Sequence, residues 1–136
     1  MTKTSQCLVL QVVIGLIAII PIFVGLDGIF RGPNMLAAGF NYPISVDSHF
    51  RYLSGIPVAM GILLLRSLPN IDQDASELHR VSLFIFIGGL GRLWGLITVS
   101  FEVSTMVAIL TELFLFPCLC LWQHQVQKNS TPSRTK

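Results

Sequence analysis

Charge is what this chain has least of. Asp, Glu, Lys and Arg make up 12% of its residues, against roughly 25% in a typical soluble protein. The formal net charge is only +2, which removes the electrostatic case for a nucleic-acid partner. Cysteine is scarce too: Cys7, Cys118 and Cys120 are an odd number, which argues against a disulfide framework. Cys118 and Cys120 project about 200° apart on a helix, a poor chelate, so all three are read as small apolar packing residues. His49, His79 and His124 sit at the margins of apolar runs without ligand spacing, so no metal site is expected. No phosphate loop, nucleophile elbow or cofactor ligand set is present, and no cofactor is expected. The absence of an internal repeat weakens an inverted-repeat transporter.

What the sequence does contain is oil-soluble length. Mean hydropathy is +0.70 over 15.0 kDa. The charges gather in short polar segments between four apolar runs, each of about the twenty residues that a helix needs to cross a bilayer. A soluble core of this size could not bury four such helices on all sides. The expected fold is therefore all-α, an integral membrane four-helix bundle with antiparallel neighbours, over residues 1–124. The spans fall at about 7–28, 49–68, 81–100 and 104–123. Residues 125–136 form a polar tail that is expected to be disordered.

The first run is too long for the apolar region of a signal peptide and is not closed by a small-x-small cleavage site, so it is read as a retained helix bent by Pro21. In the connection that follows, Pro33 can open a short helix through Ala38, ended by Gly39. Phe30, Phe40, Tyr42, Phe50 and Tyr52 crowd this region, as rings do at a membrane boundary. Asp47 or Ser48 can cap the second span, and Asp74 with Glu77 resembles a capping box for the third. Trp122 anchors the end of the fourth. Lys3, Arg66, Arg80, Lys128, Arg134 and Lys136 lie on one side, against Arg31 and Arg51 on the other. The positive-inside rule then puts both termini in the cytoplasm, with the protein in the inner (plasma) membrane.

Two charges fall inside spans. Arg92 and Glu112 lie ten residues either side of Glu102, in the turn between spans three and four. A hairpin would set them at one depth, where an unpaired charge costs roughly 2.5–3.5 kcal/mol. Gly88, Gly91 and Gly95 share the Arg92 side of the helix and are expected to pack against protein. Thr105 and Ala108 share the Glu112 face. Pro117 removes the amide that would bond Leu113, next to Glu112. Toward the other end of the bundle, Asp27, Asp47, His49 and Arg51 form a second polar group. Arg51 can pair with Asp27 or Asp47, on a face that it shares with Gly55.

The runs His49-Phe50-Arg51-Tyr52-Leu53-Ser54-Gly55 with Gly61, Gly88-Gly89-Leu90-Gly91-Arg92-Leu93, and finally Glu112 resemble small bacterial four-span membrane proteins grouped as domain of unknown function 4345. More distantly, the chain is similar to DoxX-like membrane proteins. The resemblance implies a four-helix inner-membrane fold, marks Arg51, Arg92 and Glu112, and carries no activity. Gly55, Gly61, Gly88, Gly91 and Gly95 are read as helix-packing positions.

Three functions remain open. One is a non-catalytic accessory component whose Arg–Glu pair fixes its fold and which meets a membrane-protein partner or a second copy. Another is a binding protein or enzyme for a lipid-soluble molecule, a quinone or lipid, with Arg92 and Glu112 in the pocket. The third is a small oligomeric transporter. Membrane lipids are its surroundings in each.

Overall fold

The computed structural model describes residues 3–36, 39, 41–99 and 102–130. Every regular element among them is helical. The order is α1 (Lys3–Arg31), a 3₁₀ turn (Gly32–Met35), α2 (Ile44–Ser67), a 3₁₀ turn (Leu68–Asn70), α3 (Ser76–Thr98), α4 (Val103–Leu110), a π turn (Thr111–Leu115) and α5 (Phe116–Ser130). Four stretches are long and apolar enough to cross a membrane: Ser5–Met35, Ile44–Asn70, Ser76–Thr98 and Val103–Lys128. Only 17–22% of their most apolar windows is buried inside the protein. Phe23, Leu83, Phe84, Trp94, Phe114 and Leu121 are all more than half exposed, a surface that suits hydrocarbon and not water. The chain is a multi-pass membrane protein.

Two compact units are distinguished: residues 11–68, and residues 1–10 together with 69–136. In the first, α1 and α2 approach through missing side chains. A Cβ on Gly61 would lie 2.7 Å from the Ala18 carbonyl, and one on Gly25 would lie 2.6 Å from the Ser54 carbonyl. Such contacts let two backbones close where no hydrophobic force drives helices together in lipid. Ile14, Ala18 and Leu64 fill the buried face, and Gln11 Nε2 donates to the Leu68 carbonyl at 2.8 Å.

In the second unit, α3 packs along α4, the π turn and α5. Leu78, Val81, Ile109, Phe116, Leu119 and Val126 make its core. α5 runs on to Ser130, well past the expected end of the fourth span. Residues 125–130 are thus helix and not disordered tail, while 131–136 lie outside the described residues. What extends the helix is polar. Gln123 Nε2 donates to the Ile71 carbonyl and Gln127 Nε2 to the Gln73 carbonyl, both at 2.8 Å. The two glutamines are four apart on one helix face, so they strap the 71–73 turn to α5. Gln123 is fully buried, where losing that carbonyl would cost about 1–3 kcal/mol.

Other boundaries also move. α2 starts at Ile44, with Pro43 in extended conformation as its N-cap. Asp47 therefore lies in the first turn and caps nothing, but there it faces the helix dipole favourably. The short helix expected from Pro33 is the 3₁₀ turn, which ends at Met35; residues 37, 38 and 40 lie outside the described residues. α3 begins at Ser76, whose amide donates to Asp74 Oδ1 at 2.9 Å. That bond, followed by one from the Ser76 hydroxyl, holds the Asp74 carboxyl below its ordinary 3.8. This bond is therefore intact above the carboxylate range and is lost as the pH falls through it. The expected capping box is not made: Ala75 is the N-cap and has no side-chain cap bond, Asp74 accepts from the amide two residues on, and Glu77 pairs with Arg80 at 3.2 Å.

Candidate functional site

Arg92 and Glu112 meet. Nε of Arg92 lies 3.0 Å from Oε1 of Glu112. Arg92 sits roughly 9 Å along the axis from Thr98, and Glu112 roughly 13–14 Å from Val103, at 1.5 Å rise per residue. Helical side chains lean toward their own N-terminus. Arg92 therefore leans away from the turn between α3 and α4 and Glu112 leans toward it, which closes the axial offset. Gly89 lets the helices approach at this level: a Cβ there would sit 3.0 Å from Glu112 Cβ and 2.8 Å from Leu113 Cδ2.

Glu112 belongs to the π turn Thr111–Leu115. A π turn widens a helix by an extra residue and occurs often at functional sites. It ends directly before Phe116-Pro117, and Pro117 has no amide to return to Leu113. The interruption therefore falls where the helix already lacks a bond.

The pair is lopsided. The Glu112 side chain is 20% exposed and that of Arg92 is 54% exposed. Oε2 of Glu112 is buried and accepts no hydrogen bond among the described residues. Among the described residues the terminal nitrogens of the Arg92 guanidinium make no hydrogen bond, so they are left to the surroundings. The expected buried ion pair is buried on the carboxylate side alone.

The glycines beside Arg92 also differ from expectation. A Cβ on Gly88, Gly91 or Gly95 would meet nothing within 4 Å, and the same holds for Gly55. Among the described residues nothing approaches these four closely, whereas Gly61 is met by the Ala18 carbonyl and Ile22. The buried face of α3 carries Leu78, Ser82 and Gly89, about 130° round the helix from the Gly88–Gly95 strip. Arg92 stands at the border between the two faces.

Arg51 is the opposite case, and Asp47 is its partner. Its Nε and Nη2 donate to the two Asp47 carboxylate oxygens at 2.8 and 3.1 Å. Nη1 donates to the Ile29 and Phe30 carbonyls at the end of α1. A cation here satisfies carbonyls that no helical amide reaches and faces the negative end of the helix dipole. Gly32 makes this possible: its φ is +61°, and a Cβ would strike Asp47 Oδ1 at 2.6 Å. Ser54, on the same face of α2, seats against Gly25 and Gly28. Asp27 is occupied elsewhere, paired with Arg31 at 2.8 Å. His49 is exposed, with Nδ1 3.1 Å from the Ser45 carbonyl. This end of the protein is a helix clamp.

Replacing Arg51 with lysine is expected to loosen the clamp, because an ammonium cannot span a carboxylate and two carbonyls in one plane. The loss should be about 1–2 kcal/mol, read as a fall of a few degrees in Tm of the purified protein. An unchanged Tm would mean that the fork contributes nothing.

Gly25, Gly28, Gly32, Ser54, Gly89, Gln123 and Gln127 are positions that sequence reasoning missed. Gly25 and Gly28, three apart in the first span, were a legible small-residue signal. Gly89 was hidden by its neighbour Gly88, which shares its type and not its face.

The chain matches the family described as domain of unknown function 4345 over residues 9–123, and it belongs to that family. No curated protein and no solved structure matches it, and the more distant DoxX-like resemblance finds no support there.

Proposed function

We propose that this member of the family of domain of unknown function 4345 is a non-catalytic membrane component that binds a lipid-soluble molecule at Arg92–Glu112. One observation carries the reading. A guanidinium inside a span is more than half exposed and, among the described residues, meets its partner through Nε alone, while Arg51 has both a carboxylate and two carbonyls. An arginine that served only to lock two helices would be saturated, as Arg51 is. A half-used one in hydrocarbon needs another acceptor.

The test compares wild-type protein in polymer nanodiscs with the Arg92→Leu/Glu112→Leu double variant. Organic extracts of both are analysed by mass spectrometry. A molecule other than bulk phospholipid should be held in near-stoichiometric amount by the wild type and be depleted in the variant. Matching extracts would overturn the proposal.

A second reading, an accessory component that receives a partner helix, is favoured by the open Gly91-x-x-x-Gly95 strip. Under that reading, Gly91→Cys would cross-link to another membrane protein, and ligand depletion would not follow the charge pair.

A further inference from the structure

Resting on the binding reading above, the geometry points to the chemical class of the ligand: an uncharged molecule that presents a carbonyl-type acceptor on a slender or flat apolar body, laid along α3 beside Arg92.

Charge comes first. Arg92 and Glu112 already cancel. An anionic group added at this depth would therefore leave one charge uncompensated, because the other cations of α3 and α5, Arg80 and Lys128, lie toward the helix ends, roughly 18 and 24 Å along the axis from Arg92 and Glu112. A single such charge in hydrocarbon weakens binding by a factor of roughly a hundred, from the insertion cost of a central charge. A neutral oxygen carries no such penalty.

Hydrogen-bond valence comes next. The nitrogens of Arg92 that remain outside the ion pair are donors only, so the ligand must accept. Oε2 of Glu112, the carboxylate oxygen that accepts no hydrogen bond among the described residues, is buried and cannot be reached from the lipid side, so the ligand need not donate to it. This favours a ketone, ester or quinone-type carbonyl over an alcohol or amine.

Shape is third. Gly88, Gly91 and Gly95 leave a strip without Cβ atoms next to the guanidinium, and among the described residues nothing lies within 4 Å of where those Cβ atoms would be. Phe84, 63% exposed, continues that strip one turn earlier. The strip is not the site. It is the floor beside the charged group that makes the site, and it admits a body lying close along the helix.

The test uses two photoreactive probes that share a diazirine-bearing palmityl chain, one ending in a methyl ketone and the other in a sulfonate. Both are applied to the full chain in nanodiscs, and labelled peptides are mapped. The ketone probe should label α3 saturably, and the double leucine variant should reduce labelling about tenfold, the value of one charge-assisted hydrogen bond. Because that variant removes the ion pair, Gly91→Val is run beside it. It leaves both charges in place and fills only the strip, and it should also abolish ketone labelling. Sulfonate labelling that depends on Arg92 would overturn the neutral class and leave the binding reading standing. If neither probe labels α3 in a way that depends on Arg92, both fall together.

Discussion

Glu112→Leu is expected to destabilise the protein more than removing both charges of the pair. With Glu112 gone, Arg92 keeps its guanidinium in a span with no carboxylate, a cost of about 2.5–3.5 kcal/mol. Arg92→Leu should cost less. A lone carboxylate can be neutralised by taking up a proton, whereas arginine cannot shed one. The Arg92→Leu/Glu112→Leu double variant should return to near wild-type stability, since replacing an ion pair by apolar side chains is often neutral or better. Glu112→Gln falls between, because its amide oxygen can still accept from Nε at 3.0 Å while the charge is lost. Thermal unfolding in nanodiscs and the amount accumulated in membranes both read this order. A double variant as unstable as Glu112→Leu would show that the carboxylate serves α4 for some reason other than Arg92.

That ordering separates folding from binding. The pair ties α3 to the π turn through the Nε–Oε1 contact, while the terminal nitrogens of the guanidinium make no hydrogen bond among the described residues. A variant that keeps its Tm and loses its ligand is the signature of the second role. The double leucine variant is suited to that comparison because its two changes offset each other in the fold and not in the site.

Hydropathy and the spacing of two charges made most of the fold legible. Arg92 and Glu112 were found because charge in an apolar run is conspicuous and because a hairpin equalises depth. Asp74 was legible as a polar residue at the start of α3, but it accepts from the amide of Ser76 and does not cap the helix. What escaped was set by polar groups and by faces. Hydropathy ends the fourth span near Gln123, yet Gln123 and Gln127 carry the helix further by binding the carbonyls of Ile71 and Gln73. A polar side chain that stabilises a helix end through a distant carbonyl looks, in one dimension, like the start of a tail. Arg51 and Asp47 read as a pair, but their third partner, the C-terminus of α1, depends on the left-handed turn at Gly32. The glycines of α3 show the limit of pattern alone: Gly88, Gly91 and Gly95 form the recognisable motif, and Gly89 makes the contact.

The glycines of the first unit carry the other large effect. Gly61→Ala is expected to lower stability by about 1–3 kcal/mol, the usual cost of overpacking, and Gly61→Leu by more. The new Cβ would stand 2.7 Å from the carbonyl oxygen of Ala18, a backbone atom, with Ile22 pressed against it as well. A flexible side chain could swing aside. A helix backbone cannot, so α1 and α2 must part along the contact that Gly25 and Ser54 extend. Gly55→Ala, on the same helix, is the control. Its Cβ would meet nothing within 4 Å, and replacing glycine inside a helix by alanine gains roughly 0.5–1 kcal/mol. The two substitutions are chemically identical and should move stability in opposite directions in a denaturant titration. Equal responses would mean that the closeness of α1 and α2 at Ala18 does not govern the stability of this unit.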